Sequence, residues 1–397
     1  MLFMSQFPHR PCLGRAACAA ALSIAFTSFA ADHATPPLTL TAVLQRAAEQ
    51  SPLLVAEHFD ERAAKALIEQ AGVRPNPTLG FTAENLLGTG ATQGVRGLEA
   101  TVQASQTFER GGKREKRVAL AESDREAAGH ALALRRTGVL AAAAEAYVET
   151  LSAQERLALT EEPLNLARRT LASIEASVRD GAASPAQAAR ARAAVAFARV
   201  EHLRAQAALD QARAALAATW GGDVREVGAV AGRIVLPDAP PDEADVLASL
   251  ARHPRLALQD AVIARREAAL SLEQSQASQD ITASGGLRFL RETSDAAFVA
   301  GVSVPLPVRN RNQGNIRAAR ELVAGAGQQR RAIEAELRNA ASAAGRTLQA
   351  SHAAAQTLRL EAMPATEEAA TLVRRAHAAG ELPISDLLDT QRDLASL

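Results

Sequence analysis

The chain is written twice. Ser51-Pro52-Leu53-Leu54 returns as His253-Pro254-Arg255-Leu256, Glu162-Pro163 as Met363-Pro364, and Gly181 with Pro185 as Gly380 with Pro383. The offsets are 202, 201, 199 and 198, nearly constant over about 130 residues. So long a period means two homologous halves and not a solenoid of short units. The Pro-rich stretch from Leu236 to Pro241 marks the seam. The expected layout is a first repeat over 31–235, a linker over 236–242 and a second repeat over 243–397.

Each half reads helix, strand, strand, helix, helix. In the first, 39–73 is a helix that Ser51-Pro52 interrupts or restarts. Leu79, Phe81 and Ala83 then alternate with Thr78, Gly80, Thr82 and Glu84, and Ala100, Val102, Ala104 and Phe108 with Glu99, Thr101, Gln103, Ser105 and Thr107. The second half alternates through Ile281, Ala283, Leu287 and Phe289, and again through Phe298, Ala300, Val302 and Val304. A period of two gives each strand one apolar and one polar face. Strands are expected near 78–86, 98–108, 280–290 and 297–306, with long helices over 113–180, 186–219 and 313–379. Leu140, Ala144, Tyr147 and Leu151 suggest a coiled-coil seam on the first of these helices. By internal symmetry a last helix starts at 384, but it has far fewer residues than its counterpart after Pro185, so a truncated final helix is expected.

The first thirty residues have the pattern of a secretory signal. Arg10 and Arg15 precede an apolar run from Ala16 to Phe29, which ends in Ser28-Phe29-Ala30. Neither Cys12 nor Cys18 has the Leu three residues upstream that a lipoprotein signal wants. Both cysteines fall in this segment, so an exported mature chain must hold together by packing or assembly. Losing two arginines takes the formal net charge from +0 to −2, which gives no case for nucleic acid. Tyr147 and Trp220 are alone of their kind, and so few large side chains argue against a thick globular core.

Strands of about ten residues have the length that crosses an outer membrane. Four of the mature chain's phenylalanines, Phe81, Phe108, Phe289 and Phe298, lie in them, as a lipid-facing surface with an aromatic rim requires. Four strands cannot close a barrel, and open edges are not tolerated in lipid. Three copies would supply twelve, an even number in the known range. The expected fold is therefore mainly α with a small β part: long helices, and four transmembrane strands per chain completing a 12-stranded trimeric β-barrel. The competing reading is a soluble periplasmic coiled-coil scaffold or adaptor.

Three segments carry a family resemblance. Phe108-Glu109-Arg110-Gly111-Gly112-Lys113-Arg114 is similar to the strand-to-helix junction of TolC-family outer-membrane factors, especially the CzcC-like branch. The segment from Val304 through Pro305, Pro307 and Asn312 to Ile316 resembles its second-half counterpart. The segment from Gly380 to Arg392 resembles the family's last helical turn and the start of its final helix. The resemblance implies a homotrimeric exit channel whose β-barrel sits in outer-membrane lipid on a long α-helical coiled-coil barrel that crosses the periplasm. Its implied partners are a periplasmic adaptor (membrane fusion protein) and an inner-membrane pump of the resistance-nodulation-division (RND) class, exporting divalent metal cations or drugs. It implies no enzyme and no cofactor.

Asp386 and Asp389 lie three apart on one helix, so both can face one side. The resemblance puts that position at a periplasmic gate, where three copies form acidic rings that attract cations and repel one another. Carboxylates near a helix start also stabilise the macrodipole with no further role. The turns holding Gly181, Ser184 and Pro185, and Gly380, Leu382 and Pro383, are by resemblance the adaptor-contacting tips, although any αα-hairpin favours such residues. Leu382 stands where a basic residue can hold related channels closed, and His377 where an aromatic is common. The histidines show no metal-ligand spacing, and no catalytic grouping is apparent.

Overall fold

The computed structural model describes residues 37–383, 386–387, 389–390 and 393–394. The expected signal segment at 1–30, and Ile384 and Ser385, where the last helix is expected to begin, lie outside the described residues.

Helix α1 (Leu40–Gln50) starts at Thr39, whose hydroxyl accepts from the Ala42 amide at 3.2 Å. Ser51 ends it and Pro52 opens α2 (Pro52–Ala71), because proline lacks an amide to continue a helix but suits its first position. In the second half α5 (Glu243–Ser249) and α6 (Pro254–Ser275) repeat this arrangement, with the His253 ring as the cap of α6.

The four strands are β1 (Thr78–Glu84), β2 (Glu99–Phe108), β3 (Ile281–Leu290) and β4 (Asp295–Ser303). They form one antiparallel sheet in the order β1-β2-β3-β4. The two hairpins, nearly two hundred residues apart in sequence, are thus joined through β2 and β3, from Glu99↔Leu290 to Phe108↔Ile281.

From the sheet runs α3 (Lys113–Arg179), 67 residues and, at about 1.5 Å each, roughly 100 Å long. It passes through Pro163 without ending. A tight turn leads to α4 (Pro185–Ala218), which packs back along α3. In the second half α7 (Gln313–Thr357) reaches a π turn at Leu358–Ala362 before α8 (Met363–Ala378). Thus 313–379 is not one uniform helix. Pro364 sits just beyond the π turn, and a wider turn there accommodates the missing amide and the ring's clash with the carbonyl four residues back.

The main core lies where α1, α2, the middle of α3 and the end of α4 meet. Val43, Ala47, Leu54, Tyr147, Leu216 and Trp220 are buried there together, so the two lone aromatics share one cluster. Its seam on α3 runs through Val139, Ala143, Tyr147 and Leu151. The expected Leu140 and Ala144 are only half-buried, one position off this line. The reason is that the chain after α4 closes over that side. Leu38 and Val230 form a parallel bridge, the Gln154 amide bonds both backbone groups of Val230 (3.1 and 3.2 Å), and the Tyr147 hydroxyl donates to the Ala231 carbonyl. His352 of α7 donates from Nε2 to the Pro237 carbonyl at 2.7 Å and so ties the seam between repeats to the second half.

Candidate functional site

The sheet has two chemically opposite faces. Phe81, Val102, Leu287 and Phe298 are consecutive partners across the four strands, one apolar row on one face. These side chains are bare in the single chain: Leu79, Phe81, Phe298 and Val302 are each 70–78% exposed. Phe108 and Phe289 are eight rungs apart on the ladder, about 27 Å at ~3.4 Å per residue, close to the height of a lipid-facing band. Phe81 and Phe298 stand only two residues, about 7 Å, inward of the Phe289 row, so three of the four phenylalanines gather towards that end of the band.

The other face is polar and more enclosed. Thr78 and Ser105 share a hydroxyl bond at 2.6 Å, and Thr107 and Thr282 another at 3.0 Å. Thr101 is buried at 4% exposure. Polar groups within and apolar groups without is the reverse of a water-soluble sheet, and it is what a membrane strand facing a wet lumen requires.

A rigid joint connects sheet and helices. Gly111 and Gly112 take left-handed backbone (φ 73° and 70°), and a Cβ on Gly111 would lie 2.5 Å from the Ser278 hydroxyl. Lys113, buried, reaches Asp280 of the other repeat at 2.8 Å, and the same carboxylate oxygen accepts from the Arg110 amide at 3.1 Å. Glu109, just beyond β2, pairs with Arg117, whose guanidinium also donates to the Ala71 and Val73 carbonyls. The second joint uses Asn312 at φ 60°, whose amide donates to the Glu273 carbonyl and carboxylate at 2.8 and 2.6 Å. Glu109, Gly111, Gly112 and Lys113 all fall inside the Phe108-to-Arg114 junction motif, but nothing local to the sequence indicates their partners.

The hydrogen bond from Arg117, aided by its charge, holds the Glu109 carboxyl below the ordinary 4.5 despite partial burial. A depressed folded pKa contributes stability above the unfolded value, and that contribution is lost as pH falls through the folded one. Glu109→Gln is therefore expected to lower the melting temperature near neutral pH, with the gap to wild type narrowing as pH falls below the ordinary carboxylate range and through the depressed folded value. Melting curves from pH 7 downward check this; a gap that is absent at pH 7, or that does not narrow as pH falls, would refute the pairing.

The two helical turns are closely alike. Gly181 (φ 72°) ends the α3 side, and Ser184 caps α4 by accepting from the Gln187 amide at 3.3 Å while its own amide donates to the Gln187 side chain at 2.8 Å. Pro185 is the first residue of α4. Gly380 (φ 77°) ends α8, and His377 donates from Nδ1 to the Leu382 carbonyl at 3.0 Å. The Asp386 amide bonds the Pro383 carbonyl at 3.2 Å, and the Thr390 hydroxyl bonds the Asp386 carbonyl at 2.7 Å. Asp386 and Asp389 are both helical, the first half-buried and the second exposed. Among the described residues no group of three or more His, Cys, Asp or Glu is placed to hold a metal, and no helix is long and apolar enough to cross a membrane.

Comparison with known proteins agrees with this architecture. Residues 43–222 match the family described as outer membrane efflux protein. The cobalt-zinc-cadmium resistance protein CzcC of Cupriavidus metallidurans is 33% identical, over 91% of this chain and 85% of that protein. The nickel-cobalt-cadmium resistance protein NccC of Alcaligenes xylosoxydans xylosoxydans is 28% identical, over 80% and 70%. The outer membrane protein VceC of Vibrio cholerae superposes with a TM-score of 0.72 at 19% identity, covering 90% of each chain, a likeness of fold.

Proposed function

This chain belongs to the outer membrane efflux protein family, whose members are outer-membrane channels and not enzymes, and from that premise we propose that three copies of it form the exit duct of a tripartite efflux system. It is an outer-membrane protein that extends into the periplasm. The observation that carries the proposal is the sheet with an exposed apolar face, an enclosed polar face and two outer strands, β1 and β4, each paired on one side only among the described residues. Unpaired edges in lipid leave backbone groups unsatisfied at several kcal/mol each. Pairing β1 of one copy with β4 of the next removes them, and three copies close a 12-stranded barrel whose polar face lines water. The long helices then continue the duct through the periplasm.

In this reading the turns at Gly181, Ser184 and Pro185 and at Gly380, Leu382 and Pro383 meet a periplasmic adaptor. Asp386 and Asp389 form the acidic rings of the periplasmic gate. An RND-class inner-membrane pump supplies the solute, and the metal-resistance names of the relatives favour divalent cations as that solute. The test is reconstitution. Purified protein is expected to migrate as a heat-modifiable trimer and to conduct in planar bilayers. Asp386→Ala with Asp389→Ala is expected to raise the Zn²⁺ concentration for half-block from the helix side by about tenfold. A detergent-independent monomer without conductance would overturn the duct, while unchanged block in a conducting channel would overturn only the gate.

A further inference from the structure

The polar face of the sheet is uncharged over most of its length, with Thr, Ser, Gly and Gln on successive rows. Its charges gather at the hairpin-loop end, away from the helices. Glu84, Glu99 and Asp295 share one row through the pairs Glu84↔Glu99, Glu99↔Leu290 and Leu290↔Asp295. Arg288 lies two residues inward on β3, on the same face. Its Nε donates to the Thr101 hydroxyl at 3.0 Å, one terminal nitrogen to Glu99 at 3.0 Å, and the other lies 3.4 Å from Glu84. One guanidinium thus joins β1, β2 and β3, and with them both repeats. The three side chains are 27–49% exposed, so the group is fixed in place yet open to water.

We infer that Arg288 sets the ion selectivity of the outward end of the duct, an inference that rests on the trimeric reading above. Three carboxylates against one guanidinium leave two negative charges per chain, six around a three-copy lumen. A fixed ring of that sign draws cations, and within a narrow lumen the field of each charge is felt by a passing ion. Arg288 moderates the ring. Bridging Glu84 and Glu99, it offsets one of their two negative charges in place, so an outgoing divalent cation meets a more weakly attractive mouth and is not trapped. Conduction needs sites that bind loosely enough to release. Thr101, buried beside it, holds the guanidinium plane and prevents it from swinging into the path.

The experiment is side-resolved block of reconstituted full-length channels by Zn²⁺ added to the barrel side, where the periplasmic gate is remote. Arg288→Gln is expected to lower the half-block concentration about threefold, Arg288→Lys to stay near wild type, and Asp295→Asn to raise it about twofold. Helix-side block is expected to stay unchanged in all three, which a general structural defect would not spare. Equal barrel-side block in wild type, Arg288→Gln and Asp295→Asn would overturn the inference while leaving the duct intact. If Arg288→Gln does not assemble, Asp295→Asn decides alone, and a wild-type value in it counts against the proposal. A wild-type protein that does not conduct overturns both readings.

Discussion

Gly286→Ala is expected to prevent assembly of the barrel end, while Gly285→Ala beside it leaves assembly intact. A Cβ on Gly286 would lie 2.2 Å from the Val102 carbonyl oxygen and 2.7 Å from the Gln103 Cα. Both are backbone atoms of β2, so no rotamer change relieves the contact and the two strands would have to part. Strand β3 is central, and its ladder with β2 is what joins the repeats. At Gly285, on the apolar face, the nearest atom to an added Cβ is the tip of Phe298 at 3.7 Å, an ordinary contact. The pair therefore separates loss of glycine flexibility, common to both, from backbone collision, which only Gly286 suffers. The collision is expected to cost about 3 kcal/mol or more per chain, the upper end of overpacking effects. The readout is the fraction of protein in membranes that runs as a heat-modifiable trimer. Comparable yields for the two variants would mean that the close approach of β2 and β3 is not what requires glycine.

Lys113→Met is expected to be the second large effect, and a second substitution should largely reverse it. The ammonium is nearly buried, its side chain 8% exposed, and its partner Asp280 is 31% exposed. Removing the lysine leaves the carboxylate with the Arg110 amide but without its counter-charge. Breaking a buried pair from one side costs about 3–5 kcal/mol, and partial access of water to Asp280 reduces that to about 2 kcal/mol per chain. The double change Lys113→Met with Asp280→Leu removes both charges, so most of the loss should return. Trimer melting temperature in detergent is the measurement. A double variant as unstable as the single would show that Lys113 acts through its packing at the strand-to-helix joint and not through the ion pair between repeats.

These two sites show how the chain divides between what is local and what is not. Alternation at Leu79, Phe81 and Ala83 marks a strand because side chains on a pleated backbone change face at every residue. Gly181 before Pro185, and Gly380 before Pro383, mark helical turns because left-handed backbone and a fixed φ are properties of single residues. The duplication is legible for the same reason, as matched residues at a steady offset. Such local signals suffice for the two halves, four amphipathic strands, the long helices and the opposed polar and apolar faces.

What pairs with what is decided elsewhere. No periodicity announces that Glu99 lies opposite Leu290, that Lys113 finds Asp280, or that Arg288 reaches Glu84 and Glu99, because these partners meet only after the hairpins come into register. Likewise the α3 seam falls on Val139 and Ala143 because the chain after α4 packs on that side through Val230, a contact that heptad spacing cannot contain. Local geometry depends on near neighbours along the chain. Register and burial depend on the simultaneous packing of segments far apart, and only the tertiary structure supplies that.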